Sequence, residues 1–395
     1  MRTPSAVDHD VLIVGAGLPG LALALALRGS GLSVAVVDRR HPAPDASSDW
    51  DQRIYAISPG NAALLHRLGV WPRMRPERMA PVESMRIFGD AGRDVLDFSS
   101  REVGVRALAW IVEQRELMEA TLAQWTATAS PEPIHAGVAP VALARERERA
   151  VLSLADGRAI AARLVVGADG LQSWTRDQAG IRVERRPYGQ TAVVANFATG
   201  EPHHGRAHQW FQADGSVLAF LPLPGHRMSI VWSATEGKAA ELLALDDAGF
   251  AAKVGDAASG TLGSLTLLTP RAAFPLNWLR PDTSARDRVA LIGDAAHGVH
   301  PLAGQGLNLG YGDVLALADV LTNRGPIADP GDPLLLGRYV RQRDWPTKSM
   351  QAVTDGLWRL FGARDPLTRL VRNRGMGLLN DFAAAKSLLM QPAMR

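Results

Sequence analysis

DVLIVGAGLPGLALALALRGSGLSVAVVD, residues 10–38, runs from an apolar stretch through a glycine turn into a longer apolar stretch, and then through Gly29 and Gly31 into a third. The outer stretches are continuous rather than alternating, which suits strands of a parallel sheet covered on both faces, and the middle one has helical length. The spacing predicts a β-α-β unit. Its turn, GAGLPG at 15–20, fits G-x-G-x-x-G directly after a strand and at the opening of a helix. Gly15 permits the tight turn, Gly17 lets backbone approach a pyrophosphate, Gly20 allows close helix–strand contact, and the helix N-terminus favours an anion. Ala16, Leu18 and Pro19 complete the candidate loop. Asp38 ends the second strand, where a carboxylate can hydrogen-bond a ribose hydroxyl, and Arg39 follows it. A turn needing glycine only for its own backbone would look the same; the strand–turn–helix context favours a dinucleotide site.

The rest of the chain sets the frame. Its 395 residues allow two or more domains, and 47% hydrophobic with 21% charged residues is the balance of a globular protein. With no cysteine, thiol catalysis, disulfides, iron–sulfur clusters and cysteine-ligated zinc are excluded. MRTPSAVDHD lacks the layout of a secretory signal, and no stretch reaches the ~18 consecutive apolar residues of a spanning helix. The expected location is cytoplasmic, or peripheral at the inner membrane surface. The net charge of +3 is uneven, because 359–395 holds seven basic residues against Asp365 and Asp381. That basic tail suits either an anionic lipid surface or acidic partner, or the solvated face of packing helices. No Lys/Arg cluster with interleaved aromatics points to nucleic acid.

Residues 136–170 change to short strands with a hairpin signal at Asp156-Gly157, and the charges of ARERERA suit an exposed strand pair. From about Val183 to Pro281, QTAVVANFAT, AHQWFQAD, SVLAFLPLP and HRMSIVWSA read as strands grouped together, with one helical interlude near Glu236–Val254. Grouped strands imply an antiparallel sheet in a second domain. VALIG and a helix from about Gly306 to Leu321 return to the first pattern, and the chain beyond Asp332 reads as helical, with a break at Pro366. The expected class is α/β: a Rossmann-type domain with a parallel sheet, an antiparallel-sheet domain and a helical C-terminal region. The expected segments are 8–72, 106–182 and 282–330 for the first domain, 73–105 and 183–281 for the second, and 331–395 for the helical region.

Two further glycine–aspartate corners follow buried runs, in ARLVVGADGLQSWTR at 162–176 and RVALIGDAAHGVHPLAGQGLN at 288–308. Three strand-end signals converging on one crevice imply a ligand longer than the usual footprint of NAD. Together these corners resemble those of the flavin-dependent aromatic hydroxylases of the p-hydroxybenzoate hydroxylase type. The wording of DQRIYAISPGNAALLHRLGVWP at 51–72, LAWIVEQREL at 108–117, GDAAHGVHPLAGQGLNLGYGDVLALADVL at 293–321 and RQRDWPTKSMQAVTDGLWRLF at 341–361 is similar to the ubiquinone-biosynthesis hydroxylases within that group. The similarity runs nearly the whole chain.

The resemblance implies FAD as cofactor and NAD(P)H as co-substrate. A flavin's pyrimidine edge gains negative charge on reduction, and a glycine loop opening a helix can point N–H groups at it; Gly304, Gln305, Gly306, Leu307 and Asn308 would form that loop. Asp294 resembles the family's ligand for the ribityl or pyrophosphate region. Arg53 and Arg115 match arginines that reach FAD, although either could be a surface ion pair, and Val138 would touch adenine through its backbone. Asp169 matches an aspartate linked to both FAD and pyridine nucleotide. His300 and Pro301 should lie at the flavin edge, where His300 would either accept a phenol proton or simply hold a loop carbonyl. His203, His204 and His208 suit a loop cluster rather than a metal site, because Pro202 and Gly205 disfavour helical ligand spacing; no metal is expected. FLPLPGHRMSIVWS at 220–233 resembles the sheet that roofs flavin and substrate, with Leu221, Leu223 and Trp232 facing either a prenylated ring or an ordinary core.

The implied activity is hydroxylation of a phenolic, prenylated ubiquinone precursor with NAD(P)H and O₂ through a flavin hydroperoxide. The implied contact is peripheral, of the basic C-terminal region with a membrane or a biosynthetic complex. A hydroxylase of a small soluble aromatic acid, an FAD-linked lipid reductase and a flavin-stabilised non-catalytic subunit remain open alternatives.

Overall fold

The computed structural model describes residues 7–42, 49–89, 95–127, 133–301, 304–325 and 327–362. The basic tail beyond 362, with its expected break at Pro366, lies outside the described residues. Arg359, the first of its cations, pairs with Asp355 one turn earlier at 2.9 Å. Among the described residues no helix is long and apolar enough to cross a membrane.

The opening stretch forms strand His9–Val14, helix Leu18–Ala26 and strand Val34–Asp38. Strand Ala159–Gly167 pairs in parallel on one side of His9–Val14 and Val34–Asp38 on the other. Val289–Leu291 and Ile134–Ala136 extend the row outward, also in parallel. Alternation along His9–Val14 explains why its apolar run is unbroken. Val11 and Ile13 point into one core beneath Leu21, Leu23 and helix Gly306–Thr322, whereas Leu12 and Val14 point into another against Leu152, Val165 and Leu291. The expected Asp156-Gly157 hairpin is present, joining Ala150–Leu154 to Ala159–Gly167 with Gly157 at φ +86°.

The second sheet runs in the order Leu265–Leu267, Val183–Thr199, Arg227–Thr235, Val217–Leu223, Arg206–Phe211, Ser84–Phe88, Val95–Ser99, and Ala272–Pro281 also pairs with Val183–Thr199. It is antiparallel except where Arg206–Phe211 meets Ser84–Phe88 in parallel. That pair joins segments more than a hundred residues apart, which local strand patterns cannot reveal. The expected single helical interlude is two helices, Glu236–Ala244 and Asp247–Ala257. Thr235 caps the first through Lys238 N and Asp246 caps the second through Gly249 N.

Period-two alternation divides this sheet's faces. Val193, Phe197, Leu218, Phe220, Ile230 and Trp232 lie under those two helices with Phe250 and Leu242. Trp232 therefore belongs to this core rather than to a roof over a ligand, and only Leu221 and Leu223 of the expected trio face the other way. There they meet Ile54, Ala56 and Ile111. Ile54–Ile57, Ala109–Glu113 and Met79–Val82 form a small antiparallel sheet at this contact.

Helix Pro333–Gly362 closes the structure with polar contacts along one side. Tyr339 Oη donates to the Leu291 carbonyl at 2.6 Å, Arg343 Nη2 to Leu309 O at 3.1 Å, Gln351 Nε2 to Gly298 O at 3.1 Å and Trp358 Nε1 to Gln190 Oε1 at 3.2 Å. Each residue recurs after one or more whole turns, so the helix lies along the 291–309 segment.

Candidate cofactor and substrate site

The parallel register sets three glycine corners side by side. Val14 is level with Gly167 and Val37, and Gly167 with Leu291, so the turns that follow leave the same sheet edge. Glycine makes the approach close. A side-chain carbon on Gly15, at φ +116°, would fall 2.4 Å from the Ala168 carbonyl oxygen, and one on Gly20 would fall 2.0 Å from the Gly15 carbonyl oxygen. Gly293, at φ +63°, lies near Pro19 with slightly more room, since an added carbon would be 3.1 Å from the ring. Arg176, fully buried, ties the second corner to the third by donating to Leu171 O at 3.1 Å and Ala295 O at 3.0 Å.

Gly17 differs from its neighbours: a carbon added there would meet no atom within 4 Å. It is the N-cap of helix Leu18–Ala26, and no side chain caps that helix. The first-turn N–H groups and the positive end of the helix dipole therefore face open space. Asp38 accepts from Ala16 N at 2.7 Å and Arg40 N at 2.8 Å, which sets its carboxylate beside the glycine turn. Arg39 is exposed, and the Val138 N–H donates to the Asp38 carbonyl at 3.3 Å.

Asp294 is the accessible carboxylate of the third corner, although it is closely surrounded by protein. A group in that position lines a crevice. Burial pushes its carboxyl above the ordinary range, against smaller opposing effects of His297 and Arg53. Tyr55 shares the crevice: burial raises its phenol, Arg53 acts against that, and Asp294 adds to it. Arg53 itself is exposed, with its guanidinium 5.4 Å from the Phe274 ring centre.

The segment carrying Arg53 is held from three sides. Asp51 N donates to Glu113 Oε1 at 2.6 Å, Asp51 Oδ2 accepts from Arg115 N at 3.1 Å, and Asp51 O accepts from Asn196 Nδ2 at 2.9 Å. Arg115 also donates to Asp49 O at 2.8 Å. Here its described bonds fix the loop that presents Arg53.

The fourth element is the start of helix Gly306–Thr322. Gly304 adopts φ +60°, and a side-chain carbon on it would fall 3.0 Å from Ala56 Cβ. Its N–H donates to Pro301 O at 3.0 Å. Residues 302–303 lie outside the described set. Gln305 is the N-cap without a side-chain bond, and Gly306 has open space around it. Asn308 acts through its amide: Nδ2 donates to Ala56 O at 2.7 Å, and Oδ1 accepts from Ser58 N at 3.0 Å and Asn61 Nδ2 at 3.0 Å. Leu307 next to it is partly buried against the first core.

Asp169 sits at the second corner, but its carboxylate is engaged within its own loop, accepting from Thr175 N at 2.8 Å, Thr175 Oγ1 at 2.9 Å and Ser173 Oγ. His300 holds no loop carbonyl; its Nε2 lies 3.0 Å from Gln190 Oε1. Burial brings it down to about 3, so it is a poor general base at neutral pH. His203 Nε2 lies 2.7 Å from the Leu223 carbonyl. Among the described residues no cluster of three or more His, Asp or Glu could hold a metal.

Sequence reading missed the network behind the third corner. Asp313 Oδ2 accepts from Gly293 N at 2.8 Å and lies 2.7 Å from His297 Nε2, while Oδ1 accepts from Arg343 Nε at 2.6 Å. Burial alone would raise this carboxyl, but His297 and Arg343 hold it below the ordinary range. The available signal was one acidic residue on the apolar side of a helix that buries Leu309, Val314 and Leu317.

These features coincide with known proteins. The FAD binding domain family matches residues 8–353. Ubiquinone hydroxylase UbiL of Rhodospirillum rubrum is 36% identical over 98% of this chain and 89% of its own length. The 3-demethoxyubiquinol 3-hydroxylase of Escherichia coli is 34% identical over 93% of each. The chain belongs to the FAD-dependent ubiquinone-hydroxylase family. Of solved structures, P. aeruginosa PqsL in complex with 2-aminobenzoylacetate is 26% identical over 93% of this chain and 99% of its own, with a TM-score of 0.76. Klebsiella pneumoniae HpxO complexed with FAD and uric acid shares the fold at 18% identity, covering 96% and 97%, with a TM-score of 0.74. The residues of this family member suit FAD: an uncapped helix N-terminus faces open space at Gly17, and an accessible acid stands at the adjoining corner.

Proposed function

We propose that this protein hydroxylates the ring of a phenolic, prenylated ubiquinone precursor, with NAD(P)H as reductant and O₂ as co-substrate. The observation that carries the reading is the accessible Asp294 set close to Arg53 and to Tyr55, the latter on the strand whose Ile54 and Ala56 the apolar sheet face of Leu221 and Leu223 covers. FAD, when bound, supplies the redox and oxygen chemistry.

The chain's own residues hold and enclose. Gly15, Gly17 and Gly20, with Ala16, Leu18 and Pro19, would take the pyrophosphate at the helix N-terminus. Asp38 and Arg39 would serve the adenosine ribose, and the Val138 carbonyl the adenine. Asp294 and Arg53 would hold the ribityl and ring region with Arg115 setting the Arg53 loop, and Asp169 would shape the second corner. Gly304–Asn308 would offer N–H groups to the pyrimidine edge, with Pro301 at its rim. On this reading 8–72, 106–182 and 282–330 form the cofactor unit, and 73–105 and 183–281 the substrate unit. The apolar sheet face would exclude water from the ring, and half-buried Leu221 at its margin would be the part of it left to meet the lipid. The basic tail after Trp358 would meet the anionic surface where such a lipid resides.

The test is oxidation of NAD(P)H and uptake of O₂ measured together with product, using prenylated and unprenylated phenols. The expected result is hydroxylated product in step with both, favouring the prenylated phenol. Product only from a small soluble aromatic acid, reduction of a lipid without stoichiometric O₂, or oxidation with no hydroxylated product would each overturn the proposal.

A further inference from the structure

His300 is wholly enclosed, immediately before Pro301 and the turn to Gly304. Gln190 fixes its chemical form. Gln190 Nε2 donates to the Gly215 carbonyl at 3.1 Å, which identifies the other amide atom as oxygen. That oxygen accepts the Trp358 indole N–H at 3.2 Å and lies 3.0 Å from His300 Nε2. An amide oxygen can only accept, so Nε2 of His300 carries a hydrogen. Burial keeps the ring neutral well below physiological pH, and the remaining nitrogen, Nδ1, therefore bears a free lone pair.

That lone pair has no partner among the described residues. The hydroxyl of Tyr188, whose ring meets His300 edge to face at 4.9 Å and Trp358 at 5.0 Å, faces the His300 backbone N–H as an acceptor and has no partner for its own hydrogen. Burial, the largest influence, pushes the Tyr188 phenol up to about 12, so it remains a donor. Buried polar atoms are seldom left unmatched, and an acceptor beside a donor is complementary to one hydroxyl group. The segment is already committed to the site: His300 leads into the Gly304 turn, and Gln351 holds the carbonyl of Gly298 two residues earlier at 3.1 Å.

We propose that His300 Nδ1 accepts a hydrogen bond from the ring hydroxyl of the phenolic substrate, and that Gln190 is the positioning residue that fixes the accepting tautomer. The inference rests on the phenolic reading above. No proton is transferred to His300; the bond orients the ring, and Tyr188 can donate to the same oxygen.

The experiment uses the full-length, FAD-loaded protein and two probes, 4-hexylphenol and its methyl ether, with binding followed through the visible flavin spectrum. The phenol can donate and the ether cannot. The wild-type protein should prefer the phenol by about tenfold, the size of one net hydrogen bond. His300→Phe and Gln190→Leu should each lose that preference while keeping the affinity for the ether, and Trp358→Phe should retain it. Should His300→Phe fail to hold flavin, Gln190→Leu carries the test. Equal loss for both probes means a purely structural role and overturns the proposal, as does an unchanged preference or no binding of the phenol by the wild type. Product formation from a prenylated phenol is measured in parallel. Product without the lost preference ends this inference and leaves the function standing, and the reverse result does the opposite.

Discussion

Asp313 accepts the Gly293 N–H at 2.8 Å across twenty residues of chain, and so holds the turn that presents Asp294. The same carboxylate neutralises Arg343 and contacts His297. Asp313→Ala would leave the largely enclosed Arg343 guanidinium without its anionic partner and the Gly293 N–H unmatched, a loss of about 3 kcal/mol. Urea unfolding of the apoprotein should show that drop. A change below about 1 kcal/mol would mean that the network relaxes without it.

Gly17 and Gly20 should separate binding from folding. Gly20→Ala places a carbon 2.0 Å from the Gly15 carbonyl oxygen, so the chain should express poorly or unfold early. At Gly17 the first carbon of a side chain meets no protein atom within 4 Å, so Gly17→Val builds into open space. It should fold with nearly normal circular dichroism yet purify colourless, because only a ligand would occupy that space. Full flavin loading of Gly17→Val would place the pyrophosphate elsewhere.

Asp294→Asn should improve stability and impair cofactor affinity together. Burial raises this carboxyl in the fold, so ionisation costs stability as pH rises through the folded value, and an amide removes that cost. The apoprotein's melting temperature at pH 7 should therefore rise. Loss of a charged hydrogen bond should weaken FAD binding by about tenfold to a hundredfold, read by fluorescence titration.

Arg53→Ala should bind FAD more weakly but still purify yellow. Arg53 is exposed and held by backbone rather than buried in an ion pair. Colourless protein would give it a larger share of the binding than its surroundings suggest.

Acid should weaken the fold through two buried histidines. Burial lowers His208 to about 4 and His300 to about 3, from an ordinary 6.5. Below about pH 6.5 the unfolded chain takes up protons that the fold refuses, so stability is complete above that value and declines toward pH 4. Each histidine contributes a slope of about 1.4 kcal/mol per pH unit, and the raised Asp294 carboxyl acts in the opposite sense. His208→Gln should flatten the decline in urea midpoint between pH 6.5 and 4.5.

The first glycine turn was legible because its chemistry is local: strand, turn and helix are contiguous, and Gly15, Gly17 and Gly20 carry their reasons in their spacing. The third corner was legible for its glycines and Asp294 but not for its support. Asp313, Arg343 and Gln351 act through partners dozens of residues away, which single-sequence periodicity does not encode. Trp232 was left between a roof and an ordinary core because alternation assigns a residue to a face without saying which face meets the ligand. The parallel pair Ser84–Phe88 with Arg206–Phe211 was hidden for the same reason as Asp313. Asp169 and Asn308 were found by position, while their bonds to Thr175 and to Ala56, Ser58 and Asn61 emerged only in three dimensions.

The helix Pro333–Gly362 braces Leu291, Leu309, Gly298 and Gln190 from the far end of the chain. During synthesis the first glycine turn leaves the ribosome some three hundred residues before these braces do. A nascent chain can thus build its opening β-α-β unit early, yet the central sheet keeps a vacant edge until Val289–Leu291 arrives. Tight retention of a coenzyme is in consequence an event of the finished polypeptide, and chains stalled before residue 358 should emerge from translation as cofactor-free clients for chaperones.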